Sequence, residues 1–212
     1  MKMKDDGIAW IADADLSWLG YCVTLSRGLT PEQLVARLAG DRTPAPLGEH
    51  SAAEVEALLG QRDRERGTCD SIAVRYGEVG GLAYAVAYGD NWPGNMGPGY
   101  TDGLSDGGAD VFQLYWEMEN PKLPPPAFAY FRDGEYMCGF DMFMHSWSHE
   151  ITGPRSDLVR GDVEAAGIPA ETDRDTAHRK SLTVVEERFG LTLPKELVLG
   201  GKLPAALIAG HP

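Results

Sequence analysis

Apolar and polar positions alternate most clearly over residues 82–88, where Tyr84, Val86 and Tyr88 fall on one side of the pleat and Ala83, Ala85 and Ala87 on the other. That pattern predicts a strand with one bulky face and one small face. Residues 72–76 form a second apolar run, and Gly80-Gly81 between the two is hairpin chemistry. Further strands are expected over 21–25, 110–119, 127–132 and 135–140, the last two joined by Asp133-Gly134, a strong hairpin signal.

A period near 3.6 appears at both ends of the chain. Thr30 stands as an N-cap before Pro31, Gln33 completes a capping box, Leu34, Val35 and Leu38 supply the apolar face, and Gly40 ends the helix. Residues 41–50 read as a connector, after which Ser51 and Glu54 repeat the capping box for a helix carrying Val55, Leu58 and Leu59 and stopped by Gly60. Ser156 can cap a helix over 157–166, and Leu182, Val185 and Phe189 define another over 176–189 before Gly190. Residues 194–199 read as a short helix or turn. These elements predict an α+β fold, a single domain over 1–212 with a mostly antiparallel sheet in the middle of the chain and helices at both ends packed against it.

Periodicity fails over 89–108, which holds seven glycines and two prolines. A stretch that long without pattern is expected to be an irregular excursion over one edge or face of the sheet, with Trp92 and Tyr100 as its anchors.

Composition narrows the function. Apolar residues make up 43% and charged residues 24%, as in a folded globular chain. Asp and Glu outnumber Lys and Arg 32 to 19, a formal net charge of -13, which repels nucleic-acid phosphates and anionic lipid. The one arginine run, Arg62, Arg64 and Arg66, is interleaved with Asp63 and Glu65 and reads as a solvated helix end. Cys22, Cys69 and Cys138 have no metal-knuckle or disulfide spacing, and Cys22 and Cys138 are expected to be buried and unpaired. The start lacks an apolar signal core and no apolar run is long enough to span a bilayer, so a cytoplasmic location is expected.

No complete catalytic set is visible, and the catalytic residues are unknown. Gly103-Leu104-Ser105-Asp106-Gly107 has the spacing of a nucleophile elbow without the buried strand before it or the helix after it. His145 and His149, four apart, with Asp141 and Glu150 nearby, are the candidate metal ligands, since a helix would stack both imidazoles on one face. Turn-forming neighbours favour an irregular segment there, and no cofactor is expected. Trp92, Tyr100 and Trp116 are candidate aromatic contacts to a ligand or partner, while Arg27 and Arg132 are candidate anion clamps.

The run Y-C-V-T-L-S-R-G-L-T-P-E at 21–32, followed by Val79-Gly80-Gly81, Trp92, Leu104-Ser105, Trp116 and Asp133-Gly134 in order, resembles a family of uncharacterised bacterial proteins of actinobacterial type. Residues 142–155 fall outside that resemblance. It implies a shared fold and no assigned activity. Separately, the run from Glu186 to Pro194 is similar to the short E-x-x-x-G-x-x-L-P signature of SUKH-type immunity proteins, in which the signature precedes the sheet. The expected function is a cytosolic non-enzymatic binding protein, an immunity or stress and defence inhibitor of a basic protein partner, with no nucleic acid or membrane as partner. The alternative is a small-molecule sensor or enzyme using the Gly-rich aromatic loop with His145 and His149.

Overall fold

A computed structural model describes residues 6–14, 16, 20–89, 103–117 and 126–209. Eight antiparallel strands form one sheet: β1 (Gly20–Arg27), β2 (Ala45–His50), β3 (Ile72–Val79), β4 (Leu82–Tyr88), β5 (Asp110–Glu117), β6 (Ala127–Arg132), β7 (Glu135–Asp141) and β8 (Leu203–Ala209). Their order across the sheet is β2-β8-β3-β4-β1-β5-β6-β7. Helices α1 (Pro31–Leu38) and α2 (Ala52–Arg66) lie among the early strands, and α3 (Asp157–Ala165), α4 (Arg174–Phe189) and α5 (Lys195–Leu199) follow β7.

The α+β class and antiparallel pairing match the expectation, but the placement of helices at both ends does not. β2 occupies part of the expected connector, and β8 follows the last helix to insert between β2 and β3.

The two unequal faces of β4 organise the core. Tyr84, Val86 and Tyr88 join Tyr21, Val23, Leu25, Phe112 and Leu114 beneath Val55 and Leu59 of α2, Val159 and Val163 of α3, and Leu182 and Val185 of α4. On the other face, Ala83, Ala85 and Ala87 leave room for α1 to seat Leu34 and Val35 against Ile72, Val74, Ala206 and Ile208. Full burial of such side chains contributes ~1.5–3 kcal/mol each.

Both capping boxes form. Thr30 accepts from the Gln33 amide at 3.2 Å and Ser51 from the Glu54 amide at 3.3 Å, each with the reciprocal bond from the glutamine or glutamate side chain. Thr30→Ala and Ser51→Ala are each expected to cost ~1 kcal/mol, read by urea denaturation with an unchanged m-value.

Three boundaries differ from the pattern. α2 runs through Gly60 and ends at Gly67, whose left-handed φ of 67° forms the cap. Leu58 on that helix is exposed rather than sharing the buried face of Val55 and Leu59. Ser156 precedes α3 in a helical conformation and makes no side-chain cap bond. Both hairpin turns form as expected, with left-handed φ at Gly80, Gly81, Asp133 and Gly134.

Candidate functional site

The elbow-like serine has a structural use. Ser105 is fully buried and its hydroxyl accepts from the Gly134 amide at 2.8 Å, tying this turn to the β6–β7 hairpin. Arg37 of α1 fixes the same turn from the other side, donating to the carbonyls of Leu104 at 2.7 Å and Asp106 at 2.9 Å. The described end of the Gly-rich stretch is therefore a tightly held turn between α1 and the hairpin. Trp92 and Tyr100 lie outside the described residues.

The other candidates separate. Trp116 is half-buried, its ring 6.0 Å from Tyr21 and 5.5 Å from His178. Arg27 closes the C-terminus of α4, donating to the carbonyls of Phe189 and Gly190 while its guanidinium sits over Phe112. Arg132 is exposed and pairs with Asp110 at 3.7 Å. These two cations serve helix and strand ends and do not converge on an anion.

His145 and His149 are both exposed, on an irregular segment that follows β7 rather than on a helix. Four-residue spacing stacks side chains only where the backbone is helical, so the pair does not form the expected face. No group of three or more His, Cys, Asp or Glu placed to hold a metal occurs among the described residues. Cys22 and Cys138 are buried and free, and burial pushes the first thiol up to about 12 and the second to about 11, so neither is a ready nucleophile.

Asp141 and Glu150 do come together. They line a cavity of about 110 Å³ with Tyr136, Gly139, Ser148 and Thr152. Its floor is the small face of β6 and β7, where Ala127 pairs with Asp141 and Ala129 with Gly139. The far wall is built by chain returning along β7. Thr152 and Gly139 exchange two backbone hydrogen bonds of 2.9 and 3.2 Å, and the Arg155 amide donates to the Met137 carbonyl at 2.9 Å. Glycine is required for this approach. On the returning chain, Gly153 has a φ of 95°, and a Cβ there would run into the Met137 carbonyl oxygen and lie 2.8 Å from the Cys138 Cα of β7.

Burial raises the Asp141 carboxyl from its ordinary 3.8 to about 6, and no cation among the described residues offsets it. A group whose folded pKa is raised contributes stability that is present below the unfolded value and lost as pH rises through the folded one. Asp141→Asn is therefore expected to stabilise the protein near neutral pH by ~1 kcal/mol after discounting for partial exposure, or ~2–4 °C in Tm. The gain should shrink below pH 6 and vanish below about 4, which a melting series across pH checks.

Two features had no local signal. A groove of about 830 Å³ runs between α3 and α4, lined by Asp162, Ala166, Arg179, Lys180, Val184 and Arg188 among others. Its cations are tied to acids, Arg179 to Asp13, Lys180 to Glu171 at 2.8 Å and Arg188 to Asp162 at 3.9 Å. The second is a buried dyad, the Tyr21 hydroxyl and His178 Nε2 at 2.6 Å, whose rings stack at 5.7 Å. Burial pushes Tyr21 up and His178 down to about 4, so both stay neutral near pH 7.

The model of a family of unknown function, DUF6461, matches residues 1–198. No curated protein and no solved structure matches the chain.

Proposed function

We propose, for a chain that belongs to the DUF6461 family of unknown function, that it is a non-catalytic binding protein whose acidic exterior meets a positively charged protein partner. The observation that carries this reading is how the cations are used. Arg27, Arg37 and Arg75 donate to main-chain carbonyls inside the fold. Arg66, Arg132, Arg155, Arg179, Lys180, Arg188 and Lys202 are each paired with a carboxylate. Carboxylates exceed cations by 13 in the whole chain, and no Asp or Glu is among the buried side chains of the described residues, so the surplus negative charge faces solvent. Such a field accelerates encounter with a basic surface and repels acidic ones. Neutralising a basic effector, as an inhibitor or immunity protein does, is the biological form this reading takes.

The alternative, a sensor or enzyme built on the Gly-rich stretch with His145 and His149, has less support. The two imidazoles stand in solvent, and Ser105 of that stretch is committed to the hairpin.

Affinity capture from source cells, followed by association kinetics on the purified pair, tests the proposal. A basic partner is expected, with an association rate falling roughly ten-fold or more between low and high salt. An acidic partner, or a rate indifferent to salt, would sink the reading.

A further inference from the structure

One solvent-facing aromatic side chain is next in the chain to the lining of a cavity that holds a carboxylate without a partner among the described residues. Trp147 is 56% exposed, the most exposed of the large hydrophobic side chains among the described residues. It is followed directly by Ser148, which lines the cavity holding Asp141 and Glu150. Among the described residues no hydrogen-bond donor and no cation meets the Asp141 carboxylate, although the cavity partly removes it from water. A carboxylate in that state is a binding site lacking its counter-charge, because withdrawal from water is offset only by a paired cation or donated hydrogen bonds.

We infer that this cavity, with Trp147 at its rim, receives an arginine side chain of the basic partner. The inference rests on the basic-partner reading above and places its contact. At about 110 Å³ the cavity is well below the ~300–1,000 Å³ of pockets that take whole small molecules, and it suits a side-chain head group such as a guanidinium. Asp141 and Glu150 supply carboxylate oxygens, and Ser148 and Thr152 supply hydroxyl acceptors around the same space. A guanidinium presents its donors as a flat fork to such a set, and it stacks on indole better than an ammonium does. Exposed tryptophans beside a pocket are the side chains on which protein interfaces concentrate their affinity. The wall of the site is pinned to β7 by the bonds between Gly139 and Thr152, so the acceptors are held in place before the partner arrives.

The probe is an acetylated, amidated Gly-Gly-Arg-Gly-Gly peptide, titrated into the labelled full-length protein by nuclear magnetic resonance, beside lysine and citrulline versions. The arginine peptide is expected to shift the Trp147 indole signal and the amides of Ser148, Glu150 and Thr152. Asp141→Asn and Trp147→Ala should each abolish those shifts. Glu49→Gln, which removes an equal charge from exposed β2 at the opposite edge of the sheet, should leave them intact. Trp147 is exposed, so Trp147→Ala tests the site without disturbing the core. Shifts scattered over the surface, equal loss in the Glu49 variant, or equal binding of citrulline would overturn the site. Equal binding of lysine would overturn the arginine assignment. With the captured partner, salt-dependent binding unaffected by both site variants would overturn this inference alone, whereas salt-independent binding would remove the reading beneath it.

Discussion

Replacing Arg75 with methionine is expected to be among the most damaging single changes, lowering stability by ~3–5 kcal/mol. Arg75 is fully buried in β3, yet no carboxylate among the described residues is bonded to it. Its guanidinium instead donates to the carbonyls of His50 at 2.9 Å, Leu197 at 3.1 Å, Val198 at 2.8 Å and Gly201 at 2.6 Å, and to the Tyr88 hydroxyl at 3.0 Å. One side chain thus ties together the ends of β2 and β4, the C-terminus of α5 and the turn into β8. Helix C-terminal carbonyls lack intrahelical partners and carry partial negative charge, so a buried cation is well matched to them.

Methionine fills much of the same volume but donates nothing, so the carbonyls of His50, Val198 and Gly201 lose this donor in a largely buried site, while that of Leu197 keeps the Gly201 amide. Lysine restores the charge but brings at most three donors from a single point, so Arg75→Lys should recover only part of the loss. Guanidinium chloride denaturation of the three proteins checks the order, arginine above lysine above methionine. Equal stability of wild type and Arg75→Met would show that the carbonyls find other partners.

Arg75 also marks where local reading ends. Thr30 and Ser51 were legible as caps because the bonds that make them caps span three residues. The Arg75 bonds to α5 and Gly201 span 122 to 126 residues, and an arginine amid Ile72, Val74 and Tyr76 carries no mark of being buried. β8 was missed for a related reason. Leu203–Ala209 is alanine-rich, carries Pro204 and does not alternate. Pro204 pairs with Glu49 of β2, whereas pairing to β3 begins only at Ala205, so its missing amide breaks no bond to β3.

Gly60 misled in the opposite direction. Interior glycine costs a helix ~1 kcal/mol, a sum that the packing of Val55 and Leu59 exceeds. At the candidate site, the spacing offered Asp141, His145, His149 and Glu150 as ligands on the strength of a helix that is not there. What draws the carboxylates together is the pairing of Thr152 with Gly139, a contact the local pattern does not announce.

The response to acid tests the second unannounced group. His178 lies on α4, nearly fully buried, with Tyr21 stacked on it, Trp116 and Phe143 edge-on, and its Nε2 bonded to the Tyr21 hydroxyl. Burial lowers its pKa from 6.5 to about 4, Asp13 opposing the shift and Arg179 adding to it. A folded pKa below the unfolded one means that the unfolded chain binds a proton the folded chain refuses between those two values. Stability is therefore full above pH 6.5 and falls as pH drops toward 4, by ~3 kcal/mol in all at ~1.4 kcal/mol per pH unit.

Asp141 works against this trend, since its raised pKa adds stability as pH falls through 6. The wild-type profile should consequently be flatter than either group alone would make it. In the Asp141→Asn background the His178 slope stands clear. Adding His178→Gln, which keeps a polar group beside the Tyr21 hydroxyl and cannot take up a proton, should lower stability near neutral pH and flatten the decline between pH 6.5 and 4.5. Urea midpoints for the single and double variants at half-unit steps of pH measure both effects. An undiminished decline between pH 6.5 and 4.5 in the double variant would show that His178 does not carry the acid sensitivity, because Glu54, Asp157 and Glu171, whose pKa values are lowered by their bonds to Lys202, Arg155 and Lys180, lose their own contributions only below that window.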